Sequence, residues 1–400
     1  MRRLSVLFSA VLAEITLDCA EIRGHNLRKL CGDKMYIWER PKWPTFSWNQ
    51  EVISTPLAQA RHEQGLLLGR MQALGFALQK EATLKVLTED VIKTSEIEGE
   101  KLDRDQVKSS IARRLGMEVA GLVPSERNVD GIVEVMLDAT HKSSHALTQQ
   151  RLFDWHAALF PTGRSGMHKI RVGNWRDDST GPMQVVSGPM GREKVHFTAP
   201  PANRVPAEME RFLKWFNKDT DSDPLQTSSI AHLWFVTVHP FDDGNGRIAR
   251  ALADMILARY ERTSQRFYSV SSQIRRQRTK YYEILEETQK GALDITDWIE
   301  WFLQCFTQAV ANSQETLEST LAKARFWERF AGAAFNERQR KVLNRLLDGL
   351  EGNLTSSKWA RMTQCSQDTA SRDIAALVHS GVLKRGTAKG RSTSYLLADF

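Results

Sequence analysis

Apolar residues recur at helical spacing along most of this chain. Between 49 and 80, Leu57, Leu66, Leu67, Leu68, Met71, Leu74 and Leu78 fall three or four apart, which predicts one long amphipathic helix, followed by a second from Glu81 to about Glu100. Further helices are expected over Asn128 to Ala139 and over Gln150 to Phe160, the latter turning Trp155, Leu159 and Phe160 inward. Pro206 opens another, carrying Met209, Phe212, Leu213, Trp215 and Phe216. The unbroken apolar run Ile230 to Val236 reads as a buried helix, Gly246 to Arg259 as the next, and Thr296 to Phe306, with Trp298, Trp301 and Phe302, closes the core. Two stretches differ. Tyr36 to Pro44 holds two prolines within four residues and is expected to be extended, its aromatics packing on the first helices. Val185-Val186 and Val195-His196-Phe197 are β-prone runs around the turn-forming Ser187 to Gly191, which predicts a hairpin inside an otherwise helical protein.

The tail repeats the helical theme on a smaller scale. Helices are expected over 336–350, over Thr355 to Met362, and over Gln367 to His379 behind the cap Ser366; a basic, glycine-containing hairpin tip (384–391) and a strand at Ser394 to Leu397 follow. Residues 311–335 read as a polar linker helix with few apolar anchors, and 101–114 as a polar helix, solvated or open to partners. The predicted organisation is an extension of uncertain character at 1–34, a helical domain at 35–125, a core at 126–310, the linker at 311–335 and a tail module at 336–400.

Composition narrows the class. A hydrophobic content of 41% and a charged content of 26% are those of an ordinary globular protein. Cys19, Cys31, Cys305 and Cys365 show no paired spacing, so a disulfide framework or zinc site is not expected and a reducing, cytoplasmic setting fits. No stretch reaches the roughly 20 apolar residues of a membrane span. Arg2 and Arg3 before the apolar Leu4 to Ala13 resemble a secretion signal, but the run is short and Glu14 interrupts it. The favoured expectation is an upstream extension, with Met35 the alternative start. Of the net charge of +7, residues 336–400 contribute +5, from eleven Lys and Arg against six Asp and Glu. A local basic surface suggests an anionic partner for the tail.

Candidate chemistry concentrates in His239-Pro240-Phe241-Asp242-Asp243-Gly244-Asn245-Gly246-Arg247-Ile248-Ala249-Arg250, a loop between two helices. Gly244 and Gly246 let backbone N–H groups approach an oxyanion at a helix N-terminus. Arg247 and Arg250, three apart, share a face and can clamp different phosphates of one polyphosphate. Asp243 can hold Mg²⁺ that also binds phosphate oxygens, and His239 can take a proton from a hydroxyl.

These residues resemble the full signature of the Fic (filamentation induced by cAMP) family, His-Pro-Phe-x-Asp-Gly-Asn-Gly-Arg-x-x-Arg, with no position departing. The resemblance implies a mostly α, Fic-type helical bundle with a β-hairpin flap, and an enzyme that transfers AMP from ATP to a Ser, Thr or Tyr hydroxyl of a target protein or of itself. It assigns His239 as base, Asp243 to Mg²⁺, Gly244, Asn245 and Gly246 to the anion hole, and Arg247 and Arg250 to the phosphates. Thr94-Ser95-Glu96-Ile97-Glu98-Gly99 is similar to the family's inhibitory motif, in which Glu98 would occupy Arg250; the plain alternative is a surface Glu before a C-terminal glycine cap. In some members this Glu serves removal of AMP. The flap, here Val185, Val186, Val195, His196 and Phe197, would hold a target segment by strand addition.

Other residues are less telling. Tyr281 and Tyr282 can stack on an adenine or simply pack, and His156 and His232 read as satisfied packing histidines. The tail resembles a winged helix, in which Ser371 and Arg372 would face DNA while Lys389 and Arg391 touch its backbone; such modules also bind proteins or dimerise. A DNA-bound regulator with a nucleotide-sensing core is therefore the alternative function, and a homodimer fits either.

Overall fold

The computed structural model describes residues 35–72, 76–117, 122–179, 181–189, 192–218, 222–263, 265–347, 350, 352–386 and 393–398. The extension at 1–34 and the hairpin-tip residues Lys389 and Arg391 lie outside the described residues. The chain divides into two compact units, the first taking residues 1–74 and 79–313 and the second residues 75–78 and 314–400.

In the first unit, the opening segment is not extended as expected: a 3₁₀ turn at Ile37–Glu39 is followed by turns closed by Trp43 N to Arg40 O and Thr45 N to Lys42 O. Its aromatics are engaged by residues far along the chain. Trp38 Nε1 donates to Thr198 O, Tyr36 meets Phe197 edge-on, and Trp43 Nε1 donates to the buried Glu208. Helices α1 (Gln50–Gln72) and α2 (Phe76–Ile97) divide the region earlier than the apolar spacing suggested, because that spacing runs on across the junction. Helix α3 (Arg104–Arg114), capped by Asp103, buries Val107, Ile111 and Ala112 completely. Three small apolar residues suffice to dock a helix whose composition reads as solvated.

Helices α4 (Arg127–His141) and α5 (Gln149–Leu159) pack through Gly131, where an added Cβ would come within 1.8 Å of Ala158 O. A two-residue hairpin that the sequence did not suggest follows, β1 (Arg164–Ser165) with β2 (His168–Lys169). The expected hairpin is present as β3 (Gln184–Ser187) and β4 (Lys194–Thr198), antiparallel with a register shift between Val185 and Val186. Helices α6 (Val205–Phe216), α7 (Pro224–Val238), α8 (Asn245–Glu261), α9 (Val270–Arg276) and α10 (Arg278–Gln289) complete the bundle with the first part of α11 (Thr296–Arg329). From Leu225 to Val238, α7 is buried in all but one position, so its sequence shows no polar face; each of its large apolar side chains contributes about 1.5–3 kcal/mol on burial.

The second unit is built on helices α12 (Glu337–Leu347), α13 (Ser356–Thr363) and α14 (Gln367–His379), followed by the antiparallel pair β5 (Leu383–Arg385) and β6 (Tyr395–Leu397). Thr355 and Ser366 cap α13 and α14 through their hydroxyls. Its core gathers Val342, Leu343, Trp359, Ile374, Leu377 and Phe326. Within 311–335, read as a linker with few apolar anchors, Phe326 is a strong one, since the end of α11 supplies a fully buried ring to this core. Among the described residues, no helix is long and apolar enough to cross a membrane.

Candidate active site

Two core helices hold the motif loop at its ends. His239 ends α7 in the left-handed region (φ 51°, ψ 58°), its N–H bonded to Phe235 O, a conformation that costs a non-glycine residue about 1–2 kcal/mol. Gly244 opens α8 at φ 80°, and a Cβ there would meet the Phe160 ring at 2.9 Å, so both backbone and space demand glycine. The first intrahelical bond of α8 runs from Ile248 N to Gly244 O. The N–H groups of Asn245, Gly246 and Arg247 precede it and form the positive end of the helix.

The strained loop is braced from every side. The Asn245 side chain accepts from Phe241 N (3.0 Å) and donates to Phe241 O (2.8 Å). This amide is expected in the anion hole, yet it is spent on the loop, leaving only its backbone N–H for an anion. Phe241 is fully buried and stacks on the His156 ring, with centroids 4.2 Å apart and planes within 7°. His156 Nδ1 accepts from Gly173 N (3.1 Å), which leaves Nε2–H to donate to Asp243 O (3.2 Å). A residue expected merely to pack thus fixes the loop in one tautomer. Arg176, also buried, donates through Nε to His239 O (2.7 Å) and through Nη2 to Pro200 O. Asp242 accepts from Arg171 N (2.8 Å). Neither Arg176 nor Asp242 stands out in the sequence, because their partners are backbone atoms far away along the chain.

His239 Nδ1 lies 3.2 Å from Val236 O; since a carbonyl only accepts, Nδ1 carries the proton and Nε2 holds a lone pair. Loss of water around the ring, and then the nearby Arg176 guanidinium, push its pKa down to about 4 against smaller opposing effects of Val236 O and Asp243. At neutral pH the imidazole is an unprotonated base. Asp243 accepts from Ser165 Oγ and from Gly244 N. Each carboxylate oxygen keeps a second lone pair, so the group still suits a cation that takes one or two carboxylates plus phosphate oxygens. Among the described residues no cluster of three or more His, Cys, Asp or Glu forms a self-sufficient metal site.

The two motif arginines are engaged by the end of α2. Arg250 donates from Nε to Thr94 Oγ1 (2.7 Å) and from Nη2 to both Thr94 O (2.9 Å) and Glu98 Oε1 (2.8 Å). Burial works against its charge, but Glu98, together with Tyr281 and Tyr282, more than offsets that and holds the pKa above the ordinary arginine value. The same Oε1 lies 2.1 Å from where a Cβ on Gly246 would sit, so the carboxylate rests against the positive end of α8. Arg247 donates from Nη1 to Glu100 (2.8 Å) and lies over the Phe160 ring at 5.0 Å. Arg250 Nη1 and Arg247 Nε are buried without a hydrogen-bond partner. Arg278 Nε and the Tyr282 hydroxyl donate to Ile97 O, and Arg275 pairs with Glu96, so α9 and α10 fasten the end of α2. Thr94 opens the segment that the sequence reading singled out, whereas Glu100 lies just beyond it and was passed over.

The remaining expected positions separate. Tyr281 is 2% exposed, bonded to His232 and packed against Trp298 and Trp301, because α10 turns that face into the core, where Arg250 and Glu98 also act on it. Tyr282 stays half-buried beside Arg278. In the hairpin, Val186 and Phe197 point into the protein and serve as anchors, Val195 is exposed, and His196 bridges Ser187 Oγ and Glu286, at 2.6 Å to each. Ser371 and Arg372 are exposed on α14.

Residues 146–257 match the family described as Fic/DOC, and residues 36–117 match a domain of unknown function, DUF4172. A probable protein adenylyltransferase of Aquifex aeolicus (strain VF5) is 32% identical over 101 residues, which cover 25% of this chain and 29% of that protein. The protein adenylyltransferase Fic of Drosophila ananassae is 33% identical over 99 residues, covering 24% and 18%. The chain thus aligns with less than a third of the length of these relatives. A Fic family protein from Desulfovibrio desulfuricans G20 shares the fold, at a TM-score of 0.50 and 21% identity, across 88% of this chain and 97% of that one.

Proposed function

We propose that this chain, which carries a Fic/DOC domain at residues 146–257, is a protein adenylyltransferase that moves AMP from ATP to a protein hydroxyl and is restrained by its own Glu98. One observation carries the reading: a carboxylate rests on the helix-end nest and on Arg250, occupying the position an anionic phosphate would take, while an unprotonated imidazole stands at the other end of the same loop.

The chemistry follows from what each group can hold. The triphosphate would lie along the N-terminus of α8, its phosphates taking the first-turn N–H groups and the unpartnered N–H groups of Arg247 and Arg250. His239 Nε2 would accept the proton of the target hydroxyl as its oxygen bonds to the α-phosphorus. The bond from that phosphorus to the bridging oxygen breaks, and pyrophosphate leaves with its charge balanced by the two arginines. Asp243 is the residue that would hold Mg²⁺, which when bound supplies charge neutralisation between phosphates. Phe241, Asn245, His156 and Arg176 touch no reacting atom; they keep His239 and the nest in register. Glu98 blocks the reaction because Arg250 cannot orient a phosphate while it is paired. Hairpin β3–β4 would seat the target through main-chain bonds.

α-Labelled ATP with Mg²⁺, offered to the wild type, Glu98→Gly and His239→Ala, tests the reading. Labelled protein should increase with Glu98→Gly and vanish with His239→Ala; label on the latter would refute the role of the base. For the second unit the reading is a winged-helix module presenting Ser371 and Arg372 outward, tested by salt-dependent binding of the full chain to duplex DNA.

A further inference from the structure

The turn that ends α2 carries two carboxylates. Its hydrogen bonds, Glu100 N to Ser95 O and Gly99 N to Glu96 O, close a six-to-one and a five-to-two loop, and Gly99 at φ 86° supplies the left-handed residue such a turn requires. That geometry brings Glu98 and Glu100, on either side of the glycine, to the same end of the helix. There they meet two guanidinium groups three residues apart on α8: Glu98 takes Arg250 and Glu100 takes Arg247, each at 2.8 Å. Two negative charges fill the space where adjacent phosphates would present theirs.

We propose that Glu100 is a second arm of the lock, a positioning residue that withholds Arg247 from the nucleotide and so sets nucleotide affinity, while Glu98 governs alignment for transfer. The inference rests on reading the nest as a triphosphate site. The two arms differ in how they are held. The Glu98 side chain is 21% exposed and sits directly beyond Ile97, which Arg278 and Tyr282 fasten. The Glu100 side chain is 35% exposed, and its other oxygen has only a long contact of 3.4 Å with Asn128 Nδ2. Glu100 can therefore swing into solvent without moving α2, and Arg247, 7% exposed with a free Nε–H, stays in place to receive a phosphate. Incoming ATP displaces Glu100 first and meets Glu98 second.

The test is equilibrium binding of an ATP analogue with a methylene bridge between the α- and β-phosphorus, which cannot transfer, to the full chain as wild type, Glu100→Gln, Glu98→Gln and Gly99→Ala. Glu100→Gln should tighten Kd about three- to tenfold and lower KM for ATP by a similar factor, with kcat still low because Glu98 remains. Gly99→Ala, which strains the turn itself, should free both arms and tighten binding further. A purely structural ion pair predicts unchanged or weaker binding on removal. If Glu98→Gln tightens binding and Glu100→Gln does not, the second arm is overturned and the proposed function stands. If neither the wild type nor any variant binds the analogue, the triphosphate reading falls and this inference with it.

Discussion

Replacing Glu98 by Gln keeps the shape of the contact and removes its charge. Arg250 is 2% exposed and has three acceptors around it; two, Thr94 Oγ1 and Thr94 O, survive the change. A unit pair about 4 Å apart at an effective dielectric near 20 attracts by roughly 4 kcal/mol, and a neutral amide oxygen recovers about 1 kcal/mol of that as a hydrogen bond. Solvent around the partly exposed carboxylate screens the remainder, which leaves a net loss of about 1–3 kcal/mol. The shift per kcal/mol shrinks with size and is about 2 °C for a unit this large, so the variant should melt roughly 2–6 °C below the wild type in the absence of nucleotide. ATP supplies the missing anion, and at 100 times Kd a ligand contributes about 2.7 kcal/mol. Differential scanning calorimetry with and without ATP should show a lower apo Tm and a larger ATP-induced rise in Glu98→Gln than in wild type. Equal apo Tm values together with equal ATP shifts would refute the claim that carboxylate and phosphate compete for one guanidinium.

Other outcomes follow from the same geometry. Asn245→Ala strands the buried N–H and C=O of Phe241, and urea unfolding should register a loss of about 2–4 kcal/mol, with transfer activity falling alongside it. Gly131→Ala drives a methyl into Ala158 O, and the same assay should show at least about 3 kcal/mol lost or no folded protein. Because the pKa of His239 is pushed down to about 4, the base stays unprotonated well into acid, and single-turnover transfer should hold between pH 8 and about 5 and fall only below that; a midpoint near the ordinary histidine value of about 6.5 would contradict it. Burial lowers His156 to about 4 and His232 to about 3, so between about 6.5 and 4 the unfolded chain binds more protons than the folded one. Stability should therefore rise with pH across that window and be lost as pH falls through it, as thermal melts at stepped pH would record.

What was legible in the sequence, and what was not, divides along physical lines. Long helices with one-sided or continuous apolar runs, such as α7 and α8, read directly, because burial imposes the pattern. The motif loop also read directly, since a nest, a base and two guanidinium groups need particular residue types at fixed spacing. The residues that support the loop were hidden, because Arg176, His156 and Asp242 act on backbone atoms brought close only by folding. Glu100 was hidden for a related reason: its contact with Arg247 depends on the left-handed turn at Gly99, and Glu-Gly-Glu by itself reads as a helix end. Helix α3 was misjudged because mean polarity conceals three well-placed small apolar residues. The difference in burial between Tyr281 and Tyr282 was hidden too, because adjacent tyrosines carry no sign of which one faces the core.

On the proposed reading, the loop at residues 239–250 transfers a nucleotidyl group and Glu98 restrains it. Intact-protein mass spectrometry of Glu98→Gly, incubated with ATP and Mg²⁺ beside the double variant Glu98→Gly/His239→Ala, tests it most directly. The account predicts a mass increase of one or more adenylyl groups on the single variant and none on the double. No adduct on either, or equal adducts on both, would contradict it.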